Sequence, residues 1–301
     1  MKKVFILFFS LFIIKNLNAQ DSANVGNRDS IKAVNQDTLP DLKLSAASHF
    51  VENQKYPYRT SFKSDAPVIG VGVGLSFLGF TLIKNKKDLT LTELATKTKD
   101  KIPSFDRGNA GYYSDKINKD SYVPFYAAFA MPVAMLFLNE NERRNASSIV
   151  VMYVESLSVT SALFTLAAGG IDRSRPLVYG TIAPTSERVK ARNQRSFYAG
   201  HTASAATGAF FAAKVFSDLN PDSKAKFFVW AVAAAVPAAV GYMRYKSGFH
   251  FLSDNILGYV LGAASGILIP EWHKSKSHKN LSFVPQIGRD FKGLSFVYNI
   301  K

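Results

Sequence analysis

Cysteine is absent from the 301 residues. That excludes disulfides and any thiolate-ligated metal. Acidic residues are scarce: 22 Asp and Glu stand against 37 Lys and Arg, a formal net charge of +15. In a soluble chain such an excess points to nucleic acid. Here the basic residues flank apolar runs, so anionic membrane lipids or loop orientation explain them better, and nucleic acid is not an expected partner. No repeat longer than a helix is present, and with it goes the internal symmetry of many transporters. Nothing in the sequence sets an oligomeric state.

What is present is strong segregation of apolar from polar residues. Apolar runs occupy about 66–83, 121–138, 148–170, 197–216, 226–243 and 254–270. At about 1.5 Å per residue, each crosses or nearly crosses a hydrocarbon core of about 30 Å. Backbone groups in lipid must satisfy one another, so the runs are helices. The expected fold is an all-α polytopic membrane bundle of about six helices. Small residues in "GHTASAATGAFFAAK" and "ILGYVLGAASGIL" suit close helix contacts. Run 66–83 is short, and Gly70, Gly72 and Gly74 alternate at period two, so a helix that does not fully span is expected there. In the lysine-rich connection 84–120, "LTELATKTKDKI" reads as an amphipathic surface helix.

The domain reading follows. Residues 1–20, "MKKVFILFFSLFIIKNLNAQ", combine two lysines, an apolar stretch and a small-residue end, the pattern of a signal peptide. Residues 21–64 read as a flexible extramembrane segment, 65–272 as the helical membrane domain, and 273–301 as a tail with two short strands. The strands flank a turn between Gly288 and Gly293, like a β-hairpin.

Three stretches sit at helix ends: "GGIDRSRP", "FYAGHTAS" and "MRYKSGFHFLSD". In an up-and-down bundle all three lie at one face. Arg173, Arg175, His201, Arg244, Lys246, His250 and Asp254 therefore converge on one membrane-interface pocket. Arginine forks bind phosphate oxygens bidentately. Histidine serves as nucleophile or general acid near neutrality. His250 and Asp254 are four apart, one helical face, so Asp254 is expected to accept the proton-bearing nitrogen of His250. Gly200 and His201 lie at a helix N-terminus, where free N–H groups favour an anion. Singly, each has a structural reading: arginine and lysine snorkel, and Asp254 caps a helix. The joint spacing favours chemistry. The other three of the five histidines lie in polar tails and are expected to be solvated. Glu155 precedes Arg175 by 20 residues, about 30 Å along a helix, so it reads as a structural partner near the opposite membrane face.

The joint pattern resembles the type 2 phosphatidic acid phosphatase superfamily. Its motifs are Lys, six residues, Arg-Pro; then Pro-Ser-Gly-His; then Ser-Arg, five residues, His, three residues, Asp. Arg175-Pro176 matches the end of the first and Gly200-His201 the end of the second. Arg244, His250 and Asp254 match the third from its arginine onward. The resemblance implies that His250 is the nucleophile, oriented by Asp254, and that His201 protonates the leaving oxygen. It implies that Arg175 and Arg244 clamp phosphate, and that neither a metal nor another cofactor is needed. The chain departs from the pattern at Ala168, Tyr198-Ala199 and Met243. Arg173 and Lys246 are candidate replacements for the missing phosphate ligands. The expected protein is a bacterial cell-membrane phosphatase with a lipid phosphate or pyrophosphate as substrate and its pocket towards the periplasm. The departures keep a second expectation open, a weakened or inactive phospholipid-binding protein of the same fold. A vanadate-dependent haloperoxidase shares such a pocket, but those relatives are soluble.

Overall fold

A computed structural model of the chain describes residues 57–274 and the backbone of 281–287 and 292–298. The expected signal peptide, most of the segment 21–64 and residues 288–291 of the expected turn lie outside the described residues.

Six long helices form where the apolar runs lie: α1 (Phe62–Lys84), α2 (Tyr122–Leu138), α3 (Ala146–Gly170), α4 (Gly200–Leu219), α5 (Lys226–Lys246) and α6 (Leu252–His273). Five are long and apolar enough to cross a membrane: α1, α2 with the turn that precedes it, α3, α5 and α6. Their outward faces carry exposed large apolar side chains, among them Phe77, Phe80, Phe137, Phe227, Leu268 and Trp272. In a membrane these faces meet lipid, and the chain is a multi-pass membrane protein.

The remaining helix, α4, is less apolar because it meets protein instead of lipid. It packs against α2, α3, α5 and α6, and fifteen of its twenty residues are buried. Its alanines, glycines and threonines allow that crowding. On α6, Gly258, Gly262 and Gly266 face the α4 segment; a Cβ on Gly262 would stand 2.1 Å from the Ala203 carbonyl oxygen. No larger residue fits there without moving the helices apart.

Two expectations are corrected. α1 is a regular helix of 23 residues, about 35 Å long, so it is long enough to reach across. Its meaningful glycine spacing is seven: Gly72 faces Ser158 and Gly79 faces Thr165 on α3, while Gly70 and Gly74 meet nothing within 4 Å. The amphipathic helix in 84–120 does not form. Of the stretch 91–102, only Leu91–Ala95 is α-helical, capped by Thr90 and Glu93, and two 3₁₀ turns follow from Lys99. Pro103 holds Ile102 extended and ends any helix there. The apolar side chains of this connection face protein. Leu94 packs with Leu177, Val178 and Ala183, and Ile102 and Ala110 pack with Phe251. The connection thus lies on the loops that carry the predicted site.

His273, expected to be solvated, closes α6 and is buried. His49 and His278 lie outside the described residues. In the tail, β1 (Leu281–Ile287) and β2 (Lys292–Tyr298) pair antiparallel, from Leu281 opposite Tyr298 to Ile287 opposite Lys292.

Candidate active site

The end of α3, the start of α4 and the α5–α6 loop meet at one face. Backbone pairing fastens the first two. The Arg175 N–H donates to the Asn193 carbonyl at 2.8 Å, and the Ser196 N–H to the Arg173 carbonyl at 2.8 Å. Pro176 keeps Arg175 extended. Gly200, the first residue of α4, is needed for packing, since a Cβ would stand 2.6 Å from the Phe164 ring.

His250 is buried at the centre of the site. Its Nδ1 lies 2.7 Å from the Ser196 carbonyl oxygen. A carbonyl only accepts, so Nδ1 carries the proton and Nε2 carries the free electron pair. Asp254 is not the direct partner that the spacing suggested. Its Oδ2 stands 3.9 Å from Nδ1, beyond hydrogen-bond reach. It accepts instead from the Ser196 hydroxyl at 2.6 Å and the Phe251 N–H at 2.9 Å. The reason is local. α6 begins at Leu252, so His250 precedes the helix and the four-residue rule does not apply. Asp254 reaches back to the cap residue, Phe251, as the third residue of a helix commonly does. Asp254 touches His250 through Ser196.

Arg175 and Arg244 are the charged groups that act most strongly on His250. Both guanidinium groups lie over the Phe249 ring, at 4.8 and 4.7 Å. Neither pairs with a carboxylate among the described residues, and the Nε of each is buried without a hydrogen-bond partner there. Arg244 donates to Asn118 and Ser121. Burial, then the charges of Arg244 and Arg195, push the Arg175 guanidinium well below its ordinary range. Burial, then Arg175 and Arg244, hold His250 well below the usual imidazole range, so it is neutral. Clustered like charges without a counter-ion are costly, and an anion relieves that cost. His201, the second residue of α4, stands edge-on to Tyr122 at 5.0 Å and feels Arg244, Arg175 and Arg195.

Two predicted ligands sit elsewhere. The Arg173 guanidinium is committed to Asp254 and Asp106, donates to Ser253 at 3.1 Å and covers the Phe251 ring at 4.7 Å. With its charge neutralised by two carboxylates, it orients Asp254 and leaves little for phosphate. Lys246 is exposed, and its ammonium lies over Tyr112 and Tyr242 at 5.7 and 5.9 Å.

Four residues escape a reading of the sequence. Ser196 and Arg195 immediately precede the second motif, and that adjacency is the available signal. Asp106 and Asn109 lie in the lysine-rich connection, where no motif marks them. Asp106 accepts from the Ser253 N–H at 2.9 Å and its hydroxyl at 2.6 Å. Asn109 donates to the His250 carbonyl at 2.9 Å and the Tyr245 carbonyl at 2.8 Å, which pins the loop that carries the histidine.

Comparison with known proteins finds a family match over part of the chain. Residues 148–277 match the family model of the PAP2 superfamily. A crystal structure of a transmembrane PAP2 type phosphatidylglycerolphosphate phosphatase from Bacillus subtilis is similar at 18% identity, over 67% of this chain and 94% of that one, with a TM-score of 0.40. A search of curated proteins found no match. The matched region holds every residue of the three motifs, from Arg175 to Asp254, and that region is similar to the PAP2 superfamily, that of the type 2 phosphatidic acid phosphatases.

Proposed function

We propose that the protein hydrolyses a lipid phosphate or pyrophosphate through a phosphohistidine intermediate. The observation that carries this reading is a neutral, buried His250 whose Nε2 is free, set beside Arg175 and Arg244, which lack an acidic partner among the described residues. Nε2 attacks phosphorus. The N–P bond forms as the bond to the leaving oxygen breaks, and His201 gives that oxygen a proton. Arg175 and Arg244 hold the non-bridging oxygens, with Arg195 as a third cation where the family lysine is replaced by Ala168. The Nδ1–H bond to Ser196 keeps the ring aligned while it becomes positive, and Asp254 steadies Ser196. Water then attacks phosphorus, His201 takes its proton, the N–P bond breaks and inorganic phosphate leaves.

A pocket at the helix ends suits a headgroup at the interface with its tails in lipid. The substrate class is therefore phosphatidate, phosphatidylglycerol phosphate, undecaprenyl pyrophosphate or a lipid A phosphate. We also propose that the protein resides in a bacterial cell membrane with the pocket towards the periplasm. Since the helices alternate, this puts the start of α1 on the cytoplasmic side, which a cleaved signal peptide would not do, so the orientation proposed here stands against that reading of residues 1–20. The chain lacks cysteine, so single cysteines report topology cleanly. Lys101→Cys, on the pocket face, labels with an impermeant maleimide in intact cells, and Lys224→Cys, in the α4–α5 turn, does not. The reverse pattern refutes the orientation.

The catalytic test is phosphate release by purified protein from that lipid panel, beside His250→Ala. Release lost in the variant supports the reading. A well-folded wild type that releases none makes Ala168 and Ala199 decisive, and the protein is then a phospholipid-binding relative.

A further inference from the structure

At the other end of the bundle, three titratable groups from three helices meet. Asp65 lies in the first turn of α1, Glu155 within α3, and His273 closes α6. All are buried, with 3%, 0% and 8% exposure, and one ligand atom from each lies within 4.8 Å of the others. The His273 Nδ1 stands 2.9 Å from the Ile269 carbonyl oxygen. Nδ1 therefore carries the hydrogen, and Nε2 faces the carboxylates. It is 3.3 Å from Asp65 Oδ1 and 3.2 Å from Glu155 Oε2. Two edges thus match the ligand spacing of roughly 3.3 Å that a tetrahedral zinc with bonds of about 2.0 Å imposes.

The surroundings favour a cation. Asp65 is oriented by the Ser61 N–H at 2.7 Å and the Ser64 hydroxyl, the outer hydrogen bonding typical of a metal-bound carboxylate. Glu155 is fully buried, yet neither of its oxygens accepts a hydrogen bond among the described residues. The nearby lysines are committed: Lys214 and Lys274 both pair with Asp218 and Glu271. Two buried carboxyl groups thus face one imidazole nitrogen with no lysine among the described residues free to balance them.

We propose that Asp65, Glu155 and His273 form a structural divalent-metal site, suited to zinc by its one nitrogen and two oxygen ligands, with water as the fourth. It fastens α1, which otherwise packs along α3, to the end of α6. The site is separate from the phosphatase pocket and does not depend on it.

The test uses the full chain in detergent without an affinity tag. Wild-type protein and Glu155→Gln, an isosteric change, are stripped with chelator, loaded with zinc and desalted. Wild type retains about one more zinc per chain than the variant, and its zinc affinity is more than about 100-fold higher. Zinc raises the Tm of wild type and leaves that of the variant unchanged. Cobalt(II) gives the visible absorption of a four-coordinate site in wild type alone. Asp65→Asn repeats the comparison at a second ligand. Equal zinc retention and equal cobalt spectra in wild type and Glu155→Gln overturn the proposal and leave the triad an ion pair around a protonated imidazole. Histidines outside the triad contribute equally to both proteins and cancel.

Discussion

The two ends of the bundle each bury a histidine in the same way and use it for opposite ends. His250 gives its Nδ1–H to the Ser196 carbonyl, and His273 gives its own to Ile269. Each ring therefore presents a bare Nε2. On the pocket face that nitrogen sits near Arg175 and Arg244, with no carboxylate among the described residues paired to either. On the other face it sits between Asp65 and Glu155. A backbone carbonyl chooses the tautomer, and the surrounding charge chooses the partner. The arginines suit an anion as partner; the carboxylates suit a proton or a metal ion.

The largest expected effect breaks the comparison at its root. His250→Ala removes the electron pair proposed to attack phosphorus and is expected to lower kcat at least about 1,000-fold, while Glu155→Gln leaves kcat on the best lipid of the panel within about threefold when protein is normalised to folded content. Equal losses in both would mean that the two ends act as one unit.

Next come the arginines. Each charge-assisted bond contributes roughly 1.5–3 kcal/mol, so Arg175→Gln or Arg244→Gln lowers kcat/KM by about 10- to 150-fold. Steady-state kinetics on one lipid phosphate checks this, and unchanged kinetics would remove both residues from the phosphate site.

The faces also respond to pH with opposite sign. His250 is held neutral when folded and takes a proton when unfolded below about pH 6.5. The unfolded state then binds more protons, so this contribution lowers stability as pH falls through that value. Glu142, in the turn between α2 and α3, is pushed up to about 7 by burial. The folded state then binds more protons between about 4.5 and 7, and stability falls as pH rises through that window. Glu142→Gln keeps the side chain neutral, so it raises stability at pH 8 by up to about 3 kcal/mol and changes little at pH 4. Thermal unfolding at the two values decides it; an equal shift at both would mean that Glu142 does not titrate there.

The smallest effect sharpens the role of Asp254. Ser196→Ala keeps the carbonyl that accepts from His250 but cuts the 2.6 Å link to Asp254. One hydrogen bond of about 1 kcal/mol predicts a kcat about fivefold lower with KM unchanged. A fall in KM instead would place the hydroxyl on the substrate.

Much of the bundle and its pocket is legible in the residues alone. Runs of apolar residues at membrane length announce the helices, because lipid allows few other backbones. The spacing of Arg244, His250 and Asp254 marks the pocket. The same spacing misleads about a direct His250–Asp254 bond, because periodicity does not say on which residue a helix starts. Asp106 and Asn109 are invisible, since a lysine-rich connection between helices carries no period that says where it folds back.

By itself, then, the chain determined which segments enter lipid and which residue types gather at one face, because hydropathy and alternating connectivity are properties of local sequence. Only the tertiary structure decided that Arg173 is spent on two carboxylates, that Ser196 stands between histidine and aspartate, and that Asp65, Glu155 and His273 meet. Those contacts join residues 54 to 208 positions apart. Their existence depends on how closely small residues let the helices approach, Gly262 between α6 and α4 and Gly79 between α1 and α3, distances set by packing.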